Sequence, residues 1–342
     1  MPENLHQLMD AMDTGSPPLE SAGIFGLDIP PHLANIHLLT IPWEVTTSFG
    51  GGTSKAPEIL RKSSHQLDLF DHSFGETYKA GICYSPVPGA EDLNQKIHPL
   101  AQQVIADWEG GRQPKPETLQ KINQASEDLN QKVKAEAQKI LRSGKKLGIV
   151  GGDHSVPFGA FQALAEQDSF GILHVDAHHD LREAYEGFTH SHASIFYNTL
   201  QQIPEVTKLV SVGIRDYCID EKQYAESQDQ RVTTYYDEDV ADRLAQGEAF
   251  AIIASEIVGH LPDKVHISFD IDGLSPELTP HTGTPVPGGL SFQQAVYLLK
   301  EVKRQNKQLI GFDLVEVGND PLDGNVGARI LYKLCGLFGL HT

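Results

Sequence analysis

The stretch GILHVDAHHD, residues 171–180, indicates both how this chain folds and where its chemistry lies. Its mostly apolar first half predicts a buried strand over 171–175, which runs directly into Asp176, His178 and Asp180. Alternate residues of extended backbone point to the same side, so two carboxylates and one imidazole are aimed at one spot. The segment therefore predicts a strand that ends in a polar site.

Other predicted strands also end in acidic or histidine residues. They are strand 147–150 before the sequence GGDHS at 151–155, which contains His154; strand 265–271 with Asp270 and Asp272; and strand 308–315 before Glu316. Taken singly, a histidine after two glycines is usual in turns, and an Asp-x-Asp pair is usual in caps and loops. Taken together, they predict one crevice, because ligands of open α/β sheets bind outside the carboxyl ends of the strands.

Strand and helix patterns alternate along the rest of the chain. Further strands are predicted at Ile36 to Ile41, 209–213 and 232–236, and helices at 116–143, 156–167, 239–257, 291–304 and 325–338. This alternation predicts a single three-layer α/β/α domain, with a mostly parallel central sheet and helices on both faces. Residues 1–35 lack a clear period and are predicted to form an N-terminal arm, extended or a short helix, packed on a catalytic domain of residues 36–342.

The composition excludes several functional classes. The formal net charge is −19, with 46 acidic and 27 basic residues, which argues against nucleic-acid binding and is compatible with a cationic small substrate. Three widely spaced cysteines outside any CxxC pattern predict neither disulfides nor a thiolate zinc site. Because we find no apolar run of membrane-spanning length and no basic-apolar leader pattern, we expect a soluble, cytoplasmic protein without membrane association.

The acidic and histidine residues at the strand ends predict a metal site. Burying four carboxylates together is costly through desolvation and mutual repulsion unless positive charge lies among them. Two divalent cations would supply that charge. Ligation by aspartate and histidine without thiolate suits Mn²⁺, and also Ni²⁺, Co²⁺ or Zn²⁺, better than Ca²⁺ or an iron–sulfur centre.

Four motifs in this order resemble the signature set of the ureohydrolases, a family of arginases, agmatinases, guanidinobutyrases and formimidoylglutamases. They are GGDHS at 151–155, DAHHD at 176–180, SFDIDGLSP at 268–276 and TGTPVPGG at 282–289. The likeness also covers FGGGTSKAPEILR near residue 50 and NVGARILYKLC near the C-terminus. It leaves the N-terminal arm and helix 116–143 without a strong counterpart.

The resemblance implies an arginase-like fold and two divalent metal ions, with Mn²⁺ first and Ni²⁺ as the alternative. It assigns His154, Asp176, Asp180 and Asp270 to one ion, and Asp176, His178, Asp270 and Asp272 to the other. A hydroxide between the two cations would attack the guanidinium carbon and release urea. The resemblance also implies a homo-oligomer, a trimer or hexamer.

Two catalytic residues are carried over from the family pattern. Glu316 matches the glutamate that holds the guanidinium through paired charge-assisted hydrogen bonds. His192 matches a histidine that shuttles protons to the leaving amine, although the neighbouring His190 is an alternative and an ordinary loop histidine is another. We expect Asp153 to orient the loops, His179 to point away from the metals, and residues 282–284 to shape the pocket wall.

The substrate stays open among guanidino compounds. Asp180 is followed by Leu-Arg-Glu instead of the Ile-Asn common in arginases, which disfavours arginine and resembles agmatinases. Glu183 or Glu186 would then face an amine tail, whereas Arg182 or Arg215 would receive the carboxylate of guanidinobutyrate. An agmatinase-like hydrolase is therefore the first prediction, and a guanidine hydrolase, guanidinobutyrase or formimidoylglutamase is the alternative.

Two readings from other classes remain. Metal-dependent deacetylases resemble this fold and also cleave carbon–nitrogen bonds, but they use a single zinc, and the two aspartate pairs with His154 favour a second cation. A noncatalytic, metal-binding family member is the other reading. All six predicted ligands are present together with Glu316 and His192, which favours an enzyme.

Overall fold

A computed structural model describes residues 4–10, 12 and 14–339 of this chain. Residues 1–3, 11 and 13 of the predicted arm, and 340–342 of the predicted domain, lie outside the described residues. The described strands are β1 (Ile36–Ile41), β2 (Ile82–Pro86), β3 (Lys146–Gly151), β4 (Phe170–Val175), β5 (Val206–Ile214), β6 (Val232–Tyr236), β7 (Lys264–Asp270) and β8 (Gln308–Val315).

The described α-helices fill the connections between these strands and flank them. They are α1 (Leu5–Asp10), α2 (Ala56–Ser64), α3 (Ala90–Glu109), α4 (Pro116–Arg142), α5 (Phe158–Ala165), α6 (Ile195–Gln202), α7 (Ile219–Ser227), α8 (Asp237–Ala245), α9 (Phe250–Gly259), α10 (Phe292–Arg304) and α11 (Pro321–Gly339). None of them is long and apolar enough to cross a membrane.

The strands form one parallel sheet in the order β2-β1-β3-β8-β7-β4-β5-β6. The apolar side chains of β4 show why helices cover both faces. Leu173 and Val175 join one core cluster, whereas Phe170 and Ile172 join another on the opposite face. Strands buried on both faces carry nearly continuous apolar runs, as these do. The predicted single-sheet α/β architecture is confirmed.

Several elements differ from the sequence prediction: β5 begins three residues before the predicted segment 209–213, and α6 and α7 were not among the predicted helices. Strand β2 and helix α3 were not predicted, because β2 is a short edge strand that ends in proline and α3 contains Pro99. The segment 239–257, predicted as one helical stretch, forms two helices, α8 and α9. Gly247, with a φ of 89°, lies between them in the left-handed conformation that helices use to end.

The described part of the N-terminal arm packs on the body. Ile24, Phe25 and Leu27 are buried in the same apolar cluster as residues of α2 and α11. The Phe25 ring lies edge-on to Tyr332 of α11, with the centroids 4.8 Å apart. The domain boundary at residue 35 stays a prediction.

Candidate metal centre and substrate pocket

The predicted site residues lie at the ends of neighbouring strands. Strands β3, β8, β7 and β4 are adjacent in the centre of the sheet. Val175 pairs with Phe269, and Asp270 pairs with Val315, so β4, β7 and β8 end at the same level. The register thus brings together side chains that are far apart in the sequence.

Three carboxylates surround one nitrogen of His154. Its Nδ1 lies 3.0 Å from Asp176 Oδ2, 3.0 Å from Asp180 Oδ2 and 3.2 Å from Asp270 Oδ2. All four side chains are buried. Although burial lowers the pKa of His154, the three neighbouring carboxylates raise it well above its usual value, so the ring is protonated in the metal-free protein. A cation is therefore favoured at this nitrogen.

A buried relay behind His154 fixes which ring nitrogen faces the carboxylates. Ser268 Oγ donates to Asp313 Oδ1 over 2.9 Å and lies 3.0 Å from His154 Nε2. His266 Nε2 contacts the other oxygen of Asp313 at 2.7 Å. Because Ser268 uses its hydrogen on Asp313, it accepts one from His154 Nε2, so that the ring, once it has lost its second proton, carries its lone pair on Nδ1. A lone pair facing three carboxylates fits a metal ion.

A second group shares Asp176 with the first. His178 Nδ1 lies 3.4 Å from Asp176 Oδ1 and 3.1 Å from Asp272 Oδ2. The candidate ligand atoms of these three residues all lie within 4.8 Å of one another. Asp270 Oδ1 accepts from the amide of Asp272 at 2.9 Å, which links the two groups. The described residues thus offer two adjoining sites for cations.

The acidic residues of this cluster do not all carry charge without a cation. Burial and the neighbouring Asp176 raise the pKa of Asp180 to about 7. Burial, followed by the charges of Asp272 and Asp176, raises the pKa of Asp270 well above its usual value. Protons therefore occupy positions in the metal-free protein that metal ions would take.

His174 is a buried neighbour of this cluster that the sequence prediction missed. Its Nε2 lies 2.8 Å from Asp176 Oδ2, and its Nδ1 lies 3.0 Å from Ser211 Oγ. The alternation that placed Asp176, His178 and Asp180 on one side extends back to this residue. The signal was present, but His174 lies inside the apolar strand and was interpreted as part of it.

Glu316 presents an unpaired oxygen inside the site. Its Oε1 accepts from the amide of His154 at 3.0 Å, whereas its Oε2 is buried and has no hydrogen-bond partner among the described residues. Burial, and then the charge of Asp153, raise the pKa of this carboxyl well above its usual value. Gly283 lies so close that an added Cβ would be 3.1 Å from Oε2. Any side chain at residue 283 would therefore crowd a cation bound there.

His192 lies in the pocket wall, and His190 does not. The backbone amide of His192 donates to Thr46 Oγ1 at 3.0 Å, and its Nδ1 lies 3.4 Å from the same oxygen. Burial lowers the pKa of His192 to about 4, so the ring is neutral at neutral pH. His190 contacts Glu127 of α4 at 3.3 Å instead.

Two other expectations concern residues next to the cluster. Asp153 accepts from the amide and hydroxyl of Thr46 and from the amide and hydroxyl of Ser155, so both of its oxygens are engaged in holding loops. His179 packs edge-on against Tyr217 and Tyr236. Neither side chain is among the candidate ligand groups of the described residues.

A cavity of about 150 Å³ opens beside the cluster. It is lined by Ser48, His178, Asp180, Arg182, Tyr185, His192, Ala193, Asp216, Tyr217, Glu221 and Thr284. Glu183 and Glu186, predicted to face an amine tail, are not among these lining residues. Arg215 binds the backbone carbonyls of Gly213, Asp272, Leu274 and Val286, which leaves it poorly placed for a substrate carboxylate.

Asp216 supplies an acidic group that the sequence prediction missed. It follows β5 at the same edge of the sheet, and its side chain is exposed at the cavity without a hydrogen bond or ion pair among the described residues. The positive Arg182, in contrast, lies 3.5 Å from Glu221 and stacks over Tyr185 at 4.7 Å. The unpaired charge at the cavity mouth is therefore negative.

Comparison with known proteins agrees with this arrangement. A family model described as the arginase family matches residues 34–336. The chain belongs to the arginase family. This match confirms the predicted resemblance. The relatives named below are hydrolases that act on amidine carbon–nitrogen bonds, which is the enzyme class predicted for this protein.

This arginase-family protein has two informative relatives. It is 33% identical to the N(1)-aminopropylagmatine ureohydrolase of Thermus thermophilus over 325 residues, which is 93% of this chain and 96% of that protein. It is 32% identical to the mitochondrial agmatinase of Gallus gallus, over 88% of this chain and 81% of that protein.

Solved structures show the same fold. Proclavaminate amidino hydrolase from Streptomyces clavuligerus superimposes with a TM-score of 0.72 at 20% identity, covering 95% of this chain and 99% of that one. The agmatine ureohydrolase of Thermoplasma volcanium superimposes with a TM-score of 0.70 at 22% identity, covering 97% of both chains.

Proposed function

We propose that this protein hydrolyses a guanidino compound with an amine tail, of the agmatine or aminopropylagmatine type, and releases urea. The observation that carries this proposal is the buried Oε2 of Glu316, which lies beside a cluster of carboxylates and histidines and has no hydrogen-bond partner in the described part of the chain. A planar cation that donates two parallel hydrogen bonds suits such a carboxylate. The names of the curated relatives indicate the same substrate class.

We infer that two divalent metal ions, Mn²⁺ first and Ni²⁺ as the alternative, bind in the cluster. His154, Asp176, Asp180 and Asp270 would hold one ion, and Asp176, His178, Asp270 and Asp272 the other. Support comes from the lone pair of His154 Nδ1 among three carboxylate oxygens, and from a donor set without sulfur. When bound, the cations lower the pKa of a coordinated water into the neutral range and so supply a nucleophile.

The protein's own residues position the substrate and move the proton. Glu316 holds the guanidinium so that its carbon faces the cluster, with Gly283 leaving room for it. Water adds to this carbon, the bond to the tail nitrogen breaks, and the products are urea and the amine. His192 is neutral because burial lowers its pKa to about 4, so its ring has a free lone pair; it takes a proton released by the attacking water and passes it to the leaving nitrogen.

The cavity mouth favours a cationic tail. The Asp216 side chain has no hydrogen-bond or ion-pair partner within the described ranges, whereas Arg182 contacts Glu221 and Tyr185. Tyr217, 37% exposed, lines the same cavity and offers an aromatic face to an ammonium group. A carboxylate tail would meet Asp216 with like charge, which disfavours guanidinobutyrate.

Substrate turnover tests this proposal directly. Urea and ammonia release would be measured for agmatine, aminopropylagmatine, 4-guanidinobutyrate, arginine and guanidine, after loading with Mn²⁺ and Ni²⁺ separately. We expect the amine-tailed compounds to be cleaved best. Preference for guanidine or guanidinobutyrate would instead identify one of the predicted alternatives. Silence on every compound would favour formimidoylglutamate as the substrate, and silence on that compound as well would favour the noncatalytic hypothesis.

A further inference from the structure

A tight turn carries one wall of the substrate cavity. Tyr185 and Phe188 exchange two backbone hydrogen bonds, of 3.2 and 2.8 Å, across the pair Glu186-Gly187. Both central residues have positive φ, 55° and 87°. A two-residue turn of this kind leaves the outward carbonyls of its central residues without partners inside the turn. The position of the turn therefore depends on the groups that donate hydrogen bonds to those carbonyls.

The consecutive helices α3 and α4, called the α3–α4 hairpin below, supply hydrogen-bond donors to these carbonyls. Trp108 Nε1 at the end of α3 donates to the carbonyl of Glu186 at 3.0 Å. Asn123 Nδ2 on α4 donates to the carbonyl of Gly187 at 3.0 Å, and Asn123 Oδ1 accepts from the amide of Thr189 at 3.0 Å. The side-chain amide of Asn123 thus binds both Gly187 in the turn and Thr189 just after it.

Packing reinforces these hydrogen bonds. Phe188 is fully buried in the apolar cluster that α3 and α4 form with the sheet. Leu119 of α4 lies so close to Gly187 that a Cβ there would be 2.9 Å from its methyl carbon. The turn is therefore held against α4 by its backbone polar groups and by its apolar side chain.

The opposite side of the turn faces the proposed substrate site. Tyr185 lines the cavity, and its ring lies 6.0 Å from the His192 ring at an interplanar angle of 89°. The guanidinium of Arg182 stacks 4.7 Å from the centre of the same ring. Movement of the turn would displace Tyr185 and change the space available beside His192.

We propose that the α3–α4 hairpin determines tail specificity, with Asn123 as a positioning residue that fixes Tyr185 at the tail end of the pocket. The inference rests on the proposed function and deepens it. Asn123 suits this role because an amide donates and accepts at once, whereas alanine does neither and aspartate does not donate. The guanidinium end of the site, around Glu316, would be unaffected by its loss.

The test compares Asn123→Ala and Asn123→Asp with the control Gln124→Ala. Gln124 is a neighbouring exposed residue on α4 whose side chain, among the described residues, donates to Asp128 of its own helix. We expect kcat/KM for agmatine to fall about tenfold in Asn123→Ala, which loses both hydrogen bonds to the turn. A similar fall is expected in Asn123→Asp, which keeps the acceptor for Thr189 but loses the donor to Gly187 and places a carboxylate against that carbonyl. Affinity for guanidinium ion, which has no tail, should stay unchanged, as a KM or as an inhibition constant. Amide exchange over 185–190 should become faster.

A double-mutant cycle separates positioning from general destabilisation. In a Tyr185→Ala background, Asn123→Ala should cause little further loss in kcat/KM for agmatine, because the residue it positions is gone. Full additivity of the two losses would overturn the inference. Equal losses for agmatine and guanidinium ion, or faster exchange with unchanged agmatine turnover, would overturn it as well.

Failure of the proposed function gives a different result. If the wild-type protein cleaves no guanidino compound, the catalytic proposal falls, and calorimetric binding of agmatine then replaces turnover as the readout. Weaker agmatine binding by Asn123→Ala, with unchanged binding by Gln124→Ala, would still support the positioning role. Unchanged agmatine binding by Asn123→Ala would overturn it.

Discussion

At the scale of single residues, the site is defined by polar atoms that the fold leaves without partners. Glu316 Oε2 is buried and unpaired as far as the structure describes the chain, and Glu316 adopts a φ of 59°, which is uncommon for a non-glycine residue. The positive φ follows the end of β8 and lets the backbone turn while the side chain stays in the crevice. Strain at such a position is typical of functional sites.

Glu316→Gln should reduce kcat/KM for the preferred substrate about 10- to 100-fold. The amide keeps an oxygen for the His154 amide but removes the charge that strengthens the guanidinium hydrogen bonds. Metal content, measured by elemental analysis, should remain that of the wild type. Unaltered kinetics with normal metal content would show that Glu316 does not bind the guanidinium.

Asp216→Asn should raise KM for amine-tailed substrates about three- to tenfold, with kcat little changed, because an exposed ion pair contributes modestly. Asp220→Asn is the matched control, since Asp220 is also exposed but does not line the cavity. Steady-state kinetics at two salt concentrations would check this, as the effect should shrink at high salt. Equal effects of both substitutions would point to general electrostatics.

At the scale of elements, side chains from two neighbouring strands together hold the His154 ring in place. Two residues of β7, His266 and Ser268, contact the carboxylate of Asp313 on β8 through a ring nitrogen and a hydroxyl, respectively. All three side chains are fully buried. The pairing of Ser268 with Asp313 across the two strands brings them together. The relay ends at His154 Nε2, so strand register controls the orientation of that imidazole.

Asp313→Ala should lower the free energy of unfolding by about 1–3 kcal/mol, because two buried polar groups lose their acceptor. It should also weaken metal binding about 10- to 100-fold, since Ser268 would lose the acceptor that fixes its hydroxyl as the acceptor for His154 Nε2. Asp313→Asn retains an acceptor oxygen and should cause smaller losses. Calorimetric unfolding and metal titration would measure both effects, and unchanged metal affinity in Asp313→Ala would contradict the relay.

At the scale of the whole molecule, the acidic cluster couples stability to pH and metal. In the metal-free protein, burial and Asp176 raise the pKa of Asp180 to about 7. A carboxyl whose pKa is higher in the folded than in the unfolded protein contributes stability below its unfolded pKa. That contribution is lost as the pH rises through the folded value.

We therefore expect the metal-free protein to lose stability between about pH 4 and pH 7, and added Mn²⁺ to raise Tm more at pH 8 than at pH 5.5. Asp180 and Asp270 must release protons before metal binds. Asp270→Ala should abolish bound metal, activity and the metal-dependent rise in Tm together. Activity surviving in that variant would show that the cluster is not the metal site.

The sequence by itself determined the single parallel α/β sheet and the residues at its carboxyl edge. Its apolar runs are long and nearly continuous, so strands β1, β3, β4, β6, β7 and β8 were predicted within one residue of their bounds. The same alternation selected the cluster around Asp176. These features are local, since they depend on side-chain period and on which residue follows a strand.

Only the tertiary structure decided the contacts made between distant segments. Strand order placed β3, β8, β7 and β4 side by side, and packing put Asp216, instead of Glu183 or Glu186, at the cavity. The tertiary structure also shows that Arg215 binds backbone carbonyls and that α4 holds the turn that contains Tyr185. Loop positions depend on backbone hydrogen bonds between residues far apart in the chain, and such pairings leave no period in the sequence.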